Sequence, residues 1–383
     1  TSSETTVGSE GAFFHDGTFH DNAFIDTTGR TIGLAGPKKS HDIFFPADNW
    51  FELERLGLRM NDFDVMNDFW NRAKVRIPLG YETFRVIGTP AHYSMPVRAQ
   101  RNGEFHATYS FVDGGNEQFL LRAGLDTQGA LYKMNLGFST GRGQSKKITR
   151  NHENTDDLRA FFRGLSKSGD ELKNFLHDNV NIPATVNYLV GLVAMGHGDC
   201  CNKNLYIYRD TEGTGEWQPL PWDVDSAFGR GGVGRSQLIF PTAGGIYTGR
   251  DNKLFKAMWD HIPDFTSMYL KRLRTVLDDV LQPPETPQEE LKFEKRIDEM
   301  VALMEPDALL DFEKYGTWKV EAETEKITYG HEGEGLYSWM DHINILKNDY
   351  FPARRTLMYN SLKNVAPQTG TPKIEFGDFD ANP

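Results

Sequence analysis

The sequence predicts an α+β chain in two parts, a β-rich N-lobe and a mostly helical C-lobe. Three observations carry this. Residues 92–135 hold short runs rich in β-branched and aromatic residues around the hairpin signal Asn102-Gly103. The segment IPATVNYLVGLVAMG, with Pro183 near its start, reads as an apolar buried helix closed by Gly196. From Asn252 onward the apolar positions recur mainly at helical spacing.

The elements follow in order. Residues 1–12 are small, polar and acidic and predict a flexible lead-in. From Phe13 to about Asn49, aromatic runs mixed with Gly, Asp and Thr predict short strands and turns. Between 61 and 88 the spacing of Met66, Phe69, Ala73, Val75 and Ile77 predicts helix, interrupted by Pro78 and Gly80. HYSMPVRAQ, GEFHATYSFVD and GALYKMN then predict strands, so residues 13–135 form the N-lobe. After a Gly- and Lys-rich stretch, Asp156 to Val180 fits one or two helices. The buried helix ends in the polar segment HGDCCNKN, and two strands follow, NLYIYRD and EWQPLPWDVD, around the turn TEGTG. The rest of the C-lobe (136–366) is helical, broken by QPPETP and a polar stretch near 321–334. Residues 367–383 read as a tail.

Composition narrows the function. The 383 residues are 38 % hydrophobic and 12 % aromatic, enough for a sizeable core. No apolar run approaches the roughly 20 residues of a membrane-spanning helix, and mean hydropathy is -0.54. A net charge of -12, from 42 basic and 54 acidic residues, argues against general nucleic-acid binding. The two cysteines, Cys200 and Cys201, are adjacent. They make neither a disulfide framework nor a zinc site, and read as two small buried residues.

The chemistry concentrates in His197-Gly198-Asp199-Cys200-Cys201-Asn202-Lys203-Asn204, spaced H-x-D-x-x-x-x-N. That is the layout of a protein-kinase catalytic loop, in which the Asp receives or orients the hydroxyl proton and the Asn holds a metal ion. Asp223 lies beyond a hairpin, with Asp225 two residues on, so the hairpin returns carboxylates to the side of Asp199. Carboxylates with an amide oxygen make an all-oxygen site suited to Mg²⁺ or Mn²⁺. The spacing of Gly229, Gly231 and Gly234 resembles a dinucleotide fingerprint, but no amphipathic helix follows it.

HGDCCNKNLYIYRD followed by WQPLPWDVDSAFG resembles the signature of the CotH family, the spore-coat-H-type atypical protein kinases. GPKKSHDIFF, RIPLGYETFRVIGTPA, RNGEFHATYSFVD and GALYKMN extend the likeness, so that it covers about 37–230 well. The sequence departs from the family pattern at Gly198, at Cys200-Cys201 and at Asp113, where Glu is commoner. The resemblance implies a two-lobed kinase-like fold that uses ATP and Mg²⁺ or Mn²⁺ to phosphorylate Ser or Thr of a protein or peptide. By position it implies Asp199 as catalytic base, Asn204 and Asp223 as metal ligands, and Asp225 as a second ligand or an orienter. Trp222 is either a wall for the adenine or a core residue beside Pro221. Arg76 meets phosphate or pairs with an acid.

Lys39 and Lys133 compete for the phosphate-facing role. Alternation in PKKSHDIFF places Lys38 and Lys39 on opposite faces, with Lys39 beside Ile43 and Phe45 on the core side. Lys133 shares its face with Leu131. Rival readings are another ATP-driven transfer on the same fold (nucleotidyl transfer or amino-acid ligation), a catalytically silent nucleotide- or metal-binding module, and a metal-dependent phosphoesterase.

Overall fold

The computed structural model describes residues 8–29, 36–54, 57–69, 71–135, 138, 145–229, 245–320, 327–330 and 338–369. Hairpin turns build its first sheet. β1 (Ser9–His15) and β2 (Thr18–Thr28) turn at Asp16-Gly17, both at positive φ, and β3 (Ser40–Phe44) pairs with β2. A small hairpin, β4 (Phe51–Leu53) and β5 (Leu58–Met60), precedes β6 (Asp62–Asn67) and α1 (Arg76–Val86). β7 (Ser94–Arg101) and β8 (Glu104–Asp113) turn at Asn102 (φ 53°) and Gly103 (φ 83°), the left-handed pair that an Asn-Gly turn provides. The six antiparallel strands run β1-β2-β3-β6-β8-β7. Their inner face closes over Phe45, Phe51, Phe63 and Phe111.

α2 (Glu117–Arg122) is capped by Asn116, whose side-chain oxygen accepts the N–H groups of Gln118 and Phe119. β9 (Ala130–Met134) and β10 (Ser145–Lys147) lead to α3 (Asp156–Gly164), α4 (Gly169–Asn179) and α5 (Ile182–Met195). Next come β11 (Leu205–Arg209) and β12 (Trp217–Pro221), which complete a second sheet, β10-β9-β11-β12. β12 lies at the edge of that sheet, where Pro219 and Pro221 are tolerated without N–H groups to donate. The remainder is α6 (Lys253–His261), α7 (Phe265–Val276), α8 (Lys292–Tyr315), the pair β13 (Thr317–Val320) and β14 (Ile327–Gly330), α9 (Trp339–Asn344) and α10 (Phe351–Ser361). Apolar α5 runs through the largest core, packed on α7 and β12.

The architecture is thus mixed α+β, with the strands concentrated early and the helices late. Several details differ from the sequence reading. β1 starts at Ser9, inside the expected flexible lead-in. Residues 62–67 are strand rather than helix, because the apolar positions that suggested one helix belong to β6, a turn and α1 in succession. Pro78 does not interrupt α1, since it sits in the first turn, where the helix has no N–H partner to lose. β13 and β14 add an antiparallel pair whose second strand lies within the polar stretch near 321–334. β9, expected in the N-lobe, is hydrogen-bonded to β11, so the second sheet joins residues from both sides of position 135. Gly231 and Gly234 of the glycine-rich motif lie outside the described residues.

Candidate active site

α5 ends at Gly196, which takes the left-handed conformation (φ 61°) and turns the chain into 197–204. His197 is buried there and joins two segments. Its Nδ1 accepts the Asp199 N–H (3.3 Å), so its proton sits on Nε2, which donates to the Asp223 carbonyl (3.1 Å). Burial keeps this ring below its ordinary pKa, consistent with a neutral bridge. The Gly198 N–H donates to Ser226 O (3.0 Å) and the Phe228 N–H to Met195 O (2.8 Å). These bonds tie the loop carrying Asp199 to the turn carrying Asp223.

Within the loop, the half-exposed Asp199 carboxylate accepts Lys203 Nζ (3.0 Å) and Asn204 Nδ2 (3.1 Å). Asn204 Nδ2 also reaches the Asp199 carbonyl (3.3 Å). With its amide nitrogen committed to Asp199, Asn204 has Oδ1 as the atom to offer a cation. Asn204 itself is left-handed (φ 60°), a conformation Asn adopts more readily than most residues.

Asp223 is also left-handed (φ 57°), and its N–H donates to Tyr81 Oη on α1 (3.3 Å). Asp225 follows in a 3-10 turn, Val224–Ser226, and accepts the Ser226 hydroxyl (3.0 Å). Gly80 lets α1 approach this turn, because a Cβ there would lie 3.1 Å from Val224 Cγ2. Asn204 Oδ1, Asp223 and Asp225 offer oxygen atoms only, the donor type that suits Mg²⁺ or Mn²⁺ and not a thiolate-type zinc site. The closer convergence of three carboxylates is not seen: no group of three or more His, Cys, Asp or Glu side chains stands ready for a metal among the described residues.

Lys133 lies on β9 in register with Tyr206 of β11. Its Nζ sits 3.9 Å from the centre of the Trp222 ring, a close cation–π contact. Burial lowers the Lys133 pKa, against the carboxylates of Asp64, Asp42 and Asp223, which favour its charge. Trp222 is half-buried, with one face beneath Lys133 and edge contacts to His92 (5.2 Å) and Tyr206 (5.3 Å). Lys133, Trp222 and Asp223 thus share one neighbourhood.

Lys39 and Arg76 are placed otherwise. β3 begins only at Ser40, so strand alternation does not extend back to Lys39, which is half-buried. The core-side position expected for Lys39 belongs to Lys38, whose ammonium is enclosed by Asp68 and Asp311. Arg76 is buried at the start of α1, where Nη1 donates to Asn71 Oδ1 (3.0 Å) and Nε to the Phe228 carbonyl (3.4 Å). It braces the segment after Asp223.

Sequence reasoning missed the acidic group on β3 and β6 and Tyr81, and it named Asp113 without its partners. Asp42 and Asp64 are register partners on β3 and β6, and Asp62 lies two residues from Asp64. Burial first, then Asp42, pushes the Asp64 carboxyl well above its ordinary range. The D-x-D spacing in DFDVM was the available signal, since alternate residues share a face. Asp113 is held by Arg122 (Nε 2.9 Å) and by His92 (3.2 Å), and the His92 ring stacks on Phe119 (4.4 Å). Tyr81 supports Asp223 from a distant helix, with no local signal. Cys200 and Cys201 are joined as a disulfide between neighbours, not two separate small residues.

A buried helix, an H-x-D loop, a strand, a turn, a second strand and an aspartate, tied together by one histidine, make the loop-and-strand arrangement of a kinase-like site. The chain belongs to the CotH kinase protein family, whose model matches residues 28–356. No curated protein matches the chain. Among solved structures it is similar to a chain of the Shewanella oneidensis MR-1 toxin–antitoxin complex of HipA, HipB and operator DNA. That match has 13 % identity and a TM-score of 0.28, covering 82 % of this chain and 65 % of that one.

Proposed function

We propose that this chain transfers the γ-phosphoryl group of ATP to a Ser or Thr hydroxyl of a protein or peptide. The observation that carries the reading is the double grip of Asn204 Nδ2 on Asp199, joined through His197 to Asp223. One residue to receive a proton and two to hold a cation are thereby kept in fixed relation. Asn204 and Asp223, with Asp225, would hold Mg²⁺ or Mn²⁺, which when bound supplies the positive charge that offsets the phosphates.

The chain's own residues supply the rest. Asp199, oriented by Lys203 and Asn204, receives the proton of the acceptor hydroxyl. Lys133, held over the Trp222 ring, would meet the α- and β-phosphates as a cation already partly stripped of water and so strengthened toward a phosphate partner. Asp64 and Asp42, behind it, favour its charged form.

The test is incubation with α- and γ-labelled ATP and Mg²⁺ or Mn²⁺, with mass spectrometry of the chain and of supplied Ser/Thr peptides. The expected product carries only the γ label and gains one phosphate. A gain of AMP would replace this reading with nucleotidyl transfer, and ATP binding without any transfer would replace it with a binding module. Asp199→Asn should keep Mg-ATP affinity while lowering turnover by about 10²–10⁴-fold, the usual scale of general-base loss. Normal turnover in that variant would remove Asp199 from the role.

A further inference from the structure

We propose that Cys200–Cys201 is a reversible thiol–disulfide modification site built into the catalytic loop, whose oxidation state sets the order of that loop and of the N-terminus of α6. For its effect on turnover, the inference rests on the phosphotransfer reading above. The disulfide lies directly between Asp199 and the residues that grip it, Lys203 and Asn204. A bond between neighbouring cysteines closes a small ring and removes backbone freedom from the middle of this loop.

The ring is also wired to a second element. Thr248 Oγ1 lies 3.6 Å from Cys200 Sγ and 3.9 Å from Cys201 Sγ. The Cys201 carbonyl accepts Asn252 Nδ2 (2.7 Å), and Asn252 Oδ1 in turn caps α6 by accepting the N–H groups of Leu254 (2.9 Å) and Phe255 (3.2 Å). Asn252 is fully buried, so a shift of the Cys201 carbonyl leaves a polar side chain short of a partner. Cys201 is likewise buried, whereas Cys200 is half-buried, so Cys200 is the half of the disulfide that a reductant would meet first.

Reduction is balanced with a small dithiol as the reductant. Its thiolate attacks Cys200 Sγ, the S–S bond breaks, and Cys201 leaves as a thiolate that takes a proton. The second thiol of the reductant then displaces Cys200 and closes the reductant's own disulfide. Two electrons and two protons pass to the protein, which gains two thiols. The loop grip on Asp199 and the α6 cap belong to the oxidised arrangement, so reduction should loosen both.

The experiment uses the full chain purified without reductant. Alkylation with N-ethylmaleimide in denaturant, followed by intact mass, should show no adduct before dithiothreitol and two after it. Hydrogen–deuterium exchange over 197–205 and 246–256 should speed up by roughly threefold or more on reduction, as expected for a local opening. The Cys200→Ser/Cys201→Ser variant should exchange fast there and ignore dithiothreitol. Alkylation of both thiols without reductant, or identical exchange in the two states, would overturn the proposal. Phosphoryl transfer should fall on reduction. If exchange responds while neither state transfers phosphate, the thiol site stands and the phosphotransfer reading falls.

Discussion

Two buried lysine clusters in this molecule use the same chemistry to opposite ends. In the first, Lys38 and Lys74 meet Asp68 and Asp311, with Asp311 Oδ1 also accepting the Thr108 N–H (2.8 Å). Two ammonium groups face two carboxylates, and every one of these side chains is 6 % exposed or less. The cluster joins the segment before β3, the turn after β6, the middle of β8 and the end of α8. In the second, Lys133 is the ammonium facing Asp64, Asp42 and Asp223, with Asp62 beside them. The first is balanced and closed. The second has more acid than base, and burial first, then Asp42, holds the Asp64 carboxyl well above its ordinary range. A balanced cluster staples; an unbalanced one leaves acid without a matching base, which under the proposed function is where a further cation and its phosphates would sit.

The largest expected effect breaks the staple. Asp311→Ala removes a partner from both Lys38 and Lys74 and should cost about 3–5 kcal/mol of stability, the scale for breaking a buried ion pair. Denaturant unfolding measures it. A loss below about 1 kcal/mol would mean that water or Asp68 alone satisfies both lysines. Next in size, Asp223→Asn should weaken Mg-ATP binding by roughly a hundredfold or more, since an amide replaces a charged oxygen ligand. Calorimetry with unchanged affinity would take Asp223 out of the metal site.

Lys133→Ala should weaken ATP binding by about 1–3 kcal/mol, the range of a charge-assisted hydrogen bond, with little change in the denaturant midpoint. Lys38→Met should do the reverse: lower stability, and leave the ATP affinity of the folded fraction unchanged. If Lys38→Met weakened ATP binding and Lys133→Ala did not, the two clusters would have to exchange roles.

This division of labour was only partly legible in the sequence. The H-x-D-x-x-x-x-N loop was legible because its geometry is local: His197, Asp199, Lys203 and Asn204 contact one another within a few residues. Alternation also placed Lys133 beside Leu131 correctly, since β9 is regular over both. The staple was not legible. Lys38 reaches Asp311 across 273 residues, and no local pattern announces such a partner. The Lys38/Lys39 assignment failed for the related reason that strand parity stops where the strand does, at Ser40. The helix expected over 61–88 is present only as Arg76–Val86, because one apolar spacing served a strand, a turn and a helix in succession, a known ambiguity of short apolar runs.

The smallest effect distinguishes the clusters by the sign of their pH dependence. Burial would raise Asp311, but Lys74 and Lys38 outweigh it and bring this carboxyl down to about 2. A lowered carboxyl stabilises the fold above its ordinary pKa of 3.8, and that contribution is lost as pH falls toward 2. Asp62 runs the other way. Burial, aided by Asp113, Asp42 and Glu117 and opposed by the Asn116 amide, raises it to about 6. A raised carboxyl contributes stability that is full below 3.8 and is lost as pH climbs through 6, because the fold disfavours the charge the unfolded chain carries freely. Asp62→Asn should therefore stabilise the protein at pH 7 by about 1–2 kcal/mol, a discount on the full shift because the carboxyl is only half-buried. The gain should shrink as pH falls from 6 to 4. Urea unfolding of both proteins at pH 4, 5, 6 and 7 reads it directly. A variant less stable than the parent at pH 7 would show that the Asn116–Asp62 hydrogen bond outweighs the crowding of acids, and that the second cluster is closer to balance than its carboxylates suggest.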